Sequence, residues 1–444
     1  MPDTGVHRMS DDPVAVVGGS LAGMAAAARL AKQRHRVVLF EAADRLGGRW
    51  VEPGVLPPAF TLPAPWRDLF RKSGRAFDAE LARTGHALAP APPATHHFAD
   101  GSALTLPADR GQQWAALTDA WGRPAATRWR DLLDDLDDRW QVLRRLGLEH
   151  EFTAADLTPQ RRRAVGLNQT VQQLARQIDH PQAAALLLST AWRIGSDPAR
   201  TPGFITARLA LERTFGRWQL TRDGAPVPAA ELIALLAARL ELRGVEVRLT
   251  EPVTGIEPGL VTTASGSTRV AAVVATVNPW SYLRLAGPTE PTLRRRTRWT
   301  RPAWAASVRV RNVSQEVSTG SAGGSGVTSG EVSTGSTSEA VHHLPDGVMV
   351  EYRIPASGGH TLITHGHGAG PEDASAGTRW TSPRTWLRLP PLRAETPGVV
   401  TASASSRGGN DPWAQLLSGA LATYVTHENL TGADIRPTNK AVRP

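Results

Sequence analysis

Cysteine is absent from the 444 residues. That single fact removes disulfides, iron–sulfur clusters, thiolate zinc sites and cysteine nucleophiles together. Any redox chemistry must therefore come from a bound cofactor. Lysine is almost absent as well: Lys32, Lys72 and Lys440 are the only ones, so nearly all of the positive charge is arginine. No stretch reaches the about 18 apolar residues that a membrane span needs. The opening MPDTGVHRMSDDP lacks the apolar core of a secretory signal, so a cytoplasmic location is the expectation.

What is present bounds the answer further. A chain of this length with 41% apolar residues can bury two or three domain cores. The formal charge of +9 favours anions. It is spread thinly along the chain, so nucleic acid is not an expected partner. A peripheral contact with an acidic membrane surface stays open, and the oligomeric state is not legible. Of the 13 histidines, the clusters at 96–97, 342–343 and 365–367 lack the i, i+4 spacing with a carboxylate that marks a helical metal site. No metal is expected, and His365 is the candidate among them for a catalytic histidine.

The informative stretch is residues 13–50, PVAVVGGSLAGMAAAARLAKQRHRVVLFEAADRLGGRW. An apolar strand, a glycine turn, an alanine-rich helix and a second apolar strand make a β-α-β unit. Gly18 permits the tight turn and Gly23 lets helix and strand approach closely. The helix N-terminus offers free N–H groups and a partial positive charge to a pyrophosphate. Ser20 replaces the middle glycine of the pattern; its small side chain is tolerable, and its hydroxyl is expected to donate to a phosphate oxygen. Glu41 ends the second strand, 23 residues after Gly18, where a carboxylate accepts from ribose hydroxyls and repels a 2′-phosphate. That disfavours NADP. No second GxGxxG lies between a strand and a helix, which argues against a reductase with two dinucleotides.

The run EAADRLGGRW then resembles the flavin-containing amine oxidase and phytoene desaturase superfamily, in which this extension of the first β-α-β unit marks FAD. PWRDLFRKSGR, FADGSALTLPAD, AAELIALLAARLELRGVEVRLTEPVTGI and WAQLLSGALATYV are similar to further segments of carotenoid desaturase-like members. The similarity covers roughly residues 13–310 and 385–430. It implies FAD as cofactor, with Gly18, Ser20, Leu21, Ala22, Gly23, Glu41, Ala42, Arg45, Gly48 and Arg49 around it, Val253 at the adenine, and Ser418 and Gly419 opening a helix beside the isoalloxazine. Two departures stand out. The family's acidic residue before the last motif is missing from VVTASASSRGG, and no lysine falls in the late sheet where amine oxidases place theirs.

The implied fold is α/β: a Rossmann-like FAD-binding domain (GR2-type) with an inserted α+β substrate domain. The expected segments are a disordered tail at 1–12; FAD-domain parts at 13–65, 218–290 and 385–432; a mainly helical cap at 66–217; a substrate-domain sheet at 291–384 containing a low-complexity insert at 314–340; and a tail at 433–444. Three strand-like runs are expected after the insert: GVMVEYRIP, HTLITHGH and RTWLRLP. In the cap, Trp129, Leu133, Leu136, Trp140 and Leu143 form one helical face, expected to pack on its own domain. The expected activity is that of an FAD-dependent oxidoreductase, a desaturase, dehydrogenase or redox-neutral isomerase acting on an apolar, isoprenoid-like substrate. The alternatives are oxidation of a small amine, and a non-catalytic flavoprotein subunit.

Overall fold

The computed structural model describes residues 11–314 and 337–437. The expected tail at 1–12 and the insert at 314–340 lie mostly outside the described residues, as does the end of the tail at 433–444. The central layer is a five-stranded parallel sheet. Its members are β1 (Val14–Val17), β2 (Val37–Phe40), β3 (Glu246–Arg248), β4 (Ala272–Ala275) and β5 (Val399–Thr401), in the spatial order β5-β4-β1-β2-β3. Val14 pairs with both Val37 and Ala272, so β1 sits at the centre. Every residue of β1, β2 and β4 is buried, which is why these strands read as continuous apolar runs rather than alternating ones.

Helix α1 (Leu21–Lys32) covers one face of this sheet, and the last helix, α2 (Pro412–Thr431), crosses α1. Tyr282, Leu283 and Leu293 cover the other face. The strands come from all three of the segments expected to build the FAD domain.

The second large sheet has six strands in the order Ser307–Ser314, Gly359–Gly368, Gly347–Ala356, Ser338–Leu344, Ala94–His97 and Ala103–Leu106. The last two come from the stretch read as helical cap. Each is only four residues long, too short to declare a period. The stretch differs from the expectation at its start too: Trp66, Leu69, Phe70, Phe77 and Leu81 pack in the same core as α1 and β1, so this part belongs to the nucleotide-type domain. The insert is also shorter than 314–340, since Ser314 ends one strand and Ser338–Leu344 forms another. RTWLRLP is not a strand. It lies in a 3-10 turn over Pro383–Arg388, started by Pro383 and held by reciprocal bonds between Ser382 and Thr385.

The remaining cap is helical. Residues Arg110–Arg145 form one long element that breaks at Gly122, where φ is 76° and Pro124 follows. Trp129, Leu133, Leu136, Trp140 and Leu143 are all buried, packed among Leu186, Leu187, Phe204 and Leu211. The stripe is core, as its spacing implied. Among the described residues no helix is long and apolar enough to cross a membrane.

Candidate functional site

The site begins where β1 stops. Gly18 turns the chain with φ +103°, a conformation side chains rarely adopt. A Cβ at Gly23 would overlap the carbonyl oxygen of Gly18, so the two glycines set how closely α1 meets the turn. From β4, the Thr276 hydroxyl donates to Gly18 O at 2.6 Å and closes the cradle. Leu21 and Ala22, in the first turn of α1, have N–H groups with no acceptor inside the helix. Ser20 departs from its expected role. Its hydroxyl turns inward, accepting from Gly23 N at 3.4 Å and donating to Thr276 O at 3.3 Å, so it caps α1 instead of facing a phosphate.

Glu41 leaves the end of β2 and folds back over the turn, accepting from Gly19 N at 2.5 Å and from Ala43 N at 2.8 Å. Each carboxylate oxygen has two lone-pair sites, so Glu41 keeps capacity for ribose hydroxyls. Ala42 is exposed on the same turn. Beside it a groove of ≈ 460 Å³ runs along Ala43, Arg45, Gly48 and Arg49, with Ala305 and Asp373 opposite. The two arginines differ. Arg45 is half exposed and paired with Glu52 at 2.6 Å. Arg49 is largely buried over Trp50, and among the described residues no carboxylate hydrogen-bonds it. Burial pushes its guanidinium below the ordinary arginine range, with distant Asp373 pulling the other way. A phosphate meeting Arg49 would meet an unshared cation. Val253 starts a small antiparallel sheet, and the bond from Glu251 N to Glu41 O at 3.0 Å brings that chain to the nucleotide end of the cradle.

The far end of the cradle is the loop between β5 and α2. It carries no acid between Thr401 and Asn410. Serines tie it instead: Ser403 N donates to Ser406 Oγ, Ser405 N donates to Ser403 Oγ, and Ser406 Oγ meets Ser418 Oγ at 2.8 Å. Asp411, at the start of α2, is taken up by Arg208 at 2.7 Å. Ser418 and Gly419 do not open a helix, because α2 begins at Pro412, six residues earlier. Gly419 sits at the crossing with α1, where a Cβ would overlap Ala22 O and meet Ala25 Cβ at 3.1 Å. It shapes the cradle through this packing of α2 on α1.

Between Arg49–Trp50 on one side and Pro412–Trp413 on the other lies a cavity of ≈ 200 Å³. Leu56, Phe60, Leu209, Leu211, Trp304 and Val308 supply much of its wall. One side is polar, and sequence reasoning missed it. Glu339 is buried and accepts from Arg193 at 3.1 Å and from Arg217, while Arg193 also donates to Tyr352 Oη at 3.3 Å. Burial alone would raise the Glu339 carboxyl; Arg217 and Arg193 outweigh it and hold the group below the usual range. Nothing in the sequence marked Glu339, which stands at the margin of the Ser/Gly/Thr insert.

The histidines divide by partner. His365 Nε2 donates to Gly54 O at 2.6 Å, which fixes its ring in the cavity wall and leaves Nδ1 as the acceptor nitrogen. His96 and His343 bond each other at 3.0 Å. His367 also lines the cavity but makes no hydrogen bond among the described residues; burial, Arg193, His365 and Arg49 keep it neutral. No cluster of three metal-ligating side chains occurs among the described residues.

The family profile described as FAD dependent oxidoreductase matches residues 13–315. A curated protein similar to this chain is 4,4'-diapophytoene desaturase (4,4'-diaponeurosporene-forming) of Staphylococcus aureus strain Newman. It is 26% identical over 219 residues, which cover 46% of this chain and 42% of the relative. The chain thus matches less than half the length of such curated relatives. Among solved structures, putrescine oxidase bound to putrescine superposes with a TM-score of 0.64 at 13% identity, over 93% of this chain and 98% of the other. Cyclohexylamine oxidase from Brevibacterium oxydans IH-35A gives 0.62 at 17% identity, over 95% and 100%. At such identities these two establish the shared fold.

Proposed function

The chain belongs to the FAD-dependent oxidoreductase family, so FAD is the dinucleotide of the cradle, and we propose that the protein dehydrogenates an apolar substrate in the adjoining cavity. The observation that carries this reading is the position of that cavity. It starts at Arg49 and Trp50, which follow directly on the glycine pair of the groove, and its wall is largely aliphatic and aromatic. The desaturase similarity supports the same substrate class.

When bound, FAD supplies the hydride acceptor. The chain's own residues do the rest. Gly18, Gly23 and the first turn of α1 hold the pyrophosphate, Glu41 the ribose, and Arg49 neutralises phosphate charge. Trp304, stacked on Trp192 with ring centroids 6.0 Å apart, helps exclude water. A dehydrogenated substrate loses a proton together with its hydride; burial, Arg193, His365 and Arg49 make His367 in the wall a weak base, so in this reading the proton passes to solvent rather than to that side chain. An amine fits poorly: the carboxylates in the cavity wall, Glu212 and Asp411, are each engaged by arginine, and no lysine lines it.

The test is the visible spectrum of the purified protein, then anaerobic titration with fractionated lipid extract. Bleaching of the flavin band by an apolar fraction is the expected result. Colourless protein that takes up no added FAD would sink the reading, as would a flavin bleached only by water-soluble amines.

A further inference from the structure

The positive charge is thin along the chain, and folding concentrates part of it. Residues 284–301 and 380–390 carry eight arginines and one acid, Glu290, a local +7 in a chain of +9. The two stretches meet at Trp299. Its carbonyl accepts from the Thr381 hydroxyl at 2.9 Å, and the Arg388 guanidinium lies over its ring at 5.2 Å. Arg301 is held beside it by bonds to the carbonyls of Arg298 and Thr300. Arg295 and Arg298 at the end of the helix Pro291–Thr297, Arg301 in the next strand and Arg384 in the Pro383–Arg388 turn are all exposed.

These arginines lack counter-ions. Among the described residues no carboxylate pairs with Arg295, Arg298, Arg301, Arg384 or Arg388, whereas Arg379 and Arg393 are taken up by Glu372 and Glu151. The acids of the region are engaged: Glu290 is buried against Tyr282 and Thr396, and Glu395 accepts from Thr292 N at 2.8 Å. Burial and Arg295 push the half-buried Arg296 below the ordinary arginine range, with Glu395 only partly opposing them. Like charge gathered this way is relieved when an anion covers it.

Trp299 indicates which anion. At 59% exposure it is the only exposed tryptophan, tyrosine or phenylalanine among the described residues. An amphipathic ring set among arginines suits a bilayer interface, where the ring sits at headgroup depth and the guanidiniums meet phosphate. The position agrees with this. The strand Arg301–Trp304 starts in the patch and ends at Trp304 in the wall of the main cavity, about 10 Å away at the rise of a strand.

We propose that Trp299 with Arg295, Arg298, Arg301, Arg384 and Arg388 docks the protein on an anionic lipid bilayer, with the cavity wall at Trp304 behind the contact. The choice of a bilayer over other polyanions rests in part on the apolar-substrate reading; the charge and the exposed ring do not.

The experiment is cosedimentation of the flavin-loaded protein with vesicles of phosphatidylcholine alone and of phosphatidylcholine with about one third phosphatidylserine. Binding to the anionic vesicles is expected to be about tenfold tighter or more, and to fall away between about 0.1 M and about 1 M salt. An arginine near such a surface is worth about fivefold, so Arg295→Gln with Arg298→Gln should weaken binding about 25-fold. The same charge change on a cap helix, Arg161→Gln with Arg162→Gln, should alter it less than about twofold. Brominated acyl chains should quench the emission of the unsubstituted protein more than that of Trp299→Ser. Equal binding to the two vesicle types, equal loss in the two double variants, or equal quenching overturns the proposal. So does binding to a labelled single-stranded oligonucleotide with none to vesicles, which assigns the patch to nucleic acid. Binding to anionic vesicles supports the surface even where no apolar fraction bleaches the flavin, the result that sinks the substrate reading.

Discussion

Gly419 offers a direct test of how α2 contributes to the cofactor site. In Gly419→Ala the new methyl overlaps Ala22 O and presses on Ala25 Cβ at 3.1 Å. The obstructing atom is backbone, so relief requires α1 and α2 to separate. Overpacking of this kind costs about 1–3 kcal/mol. Exchanging glycine for alanine inside a helix returns about 1 kcal/mol. The net expectation is a loss of up to about 2 kcal/mol, seen as a melting temperature lower by up to roughly 2 °C in a chain of 444 residues. Ala22 lies in the turn of α1 that faces the pyrophosphate, so displacement there should also weaken flavin binding by about tenfold, equivalent to 1.4 kcal/mol. Ser418→Ala makes the contrast: it removes one bond to Ser406 Oγ, costs about 1 kcal/mol, and should leave flavin affinity unchanged. Calorimetric melting and fluorescence titration of the apoprotein with FAD measure both quantities. If Ser418→Ala strips flavin at an unchanged melting temperature while Gly419→Ala does nothing, the helix touches the cofactor and the packing argument is wrong.

Glu41→Ala removes the acceptor of Gly19 N and Ala43 N and should abolish flavin retention on a desalting column, whereas Arg45→Ala breaks only an exposed pair with Glu52 and should keep most of it; equal retention in the two variants would contradict this ranking. Burial and His427 hold His35 down to about 4, against an ordinary value of 6.5. The unfolded chain therefore takes up that proton first as pH falls, so the contribution is complete above pH 6.5 and is lost, by up to roughly 3 kcal/mol, on the way down to pH 4. Urea midpoints across that window should slope down with acid and flatten in His35→Gln; an unchanged slope refutes the assignment. Trp129→Ala, at 1% exposure, should cost about 3–5 kcal/mol by denaturant titration. A small loss there would return the stripe to the surface.

The nucleotide cradle was legible because it is local. Strand, turn, helix and strand lie within 28 residues, and each glycine there answers a constraint set by its neighbours. What failed was finer. The Ser20 hydroxyl is a cap because a bond to Gly23 N three residues on is always within reach of a serine preceding a helix, and the sequence pattern does not rank that bond against a phosphate. Ser418 and Gly419 looked like a helix start because a small-residue pair suits a cofactor as well as it suits a close helix crossing. RTWLRLP reads as a strand-like run, yet Pro383 and the Ser382–Thr385 bonds turn it. The strands Ala94–His97 and Ala103–Leu106 owe their existence to the neighbour Ser338–Leu344, more than two hundred residues later.

The polar side of the cavity is the extreme case of such non-local assembly. Arg193 ends a cap helix, Arg217 starts a strand beside the nucleotide domain, and Glu339 and Tyr352 belong to two strands of the six-stranded sheet. Glu339 and Tyr352 face each other across one hairpin, but the two arginines come from more than a hundred residues earlier, and none of the charges could be buried alone, since an uncompensated charge in the interior costs several kcal/mol. A one-residue slip of either strand would turn Glu339 or Tyr352 to the opposite face and leave the arginines without partners. Leucine and tryptophan around the rest of the cavity impose no such condition, because apolar contacts tolerate small displacements. The ion-paired seam between cap and sheet is therefore the feature that fixes the register of the cavity wall. It holds the Tyr352 hydroxyl and, one strand away on Gly359–Gly368, His367 at set positions beside the flavin domain, while the apolar remainder is left free to follow the shape of the substrate.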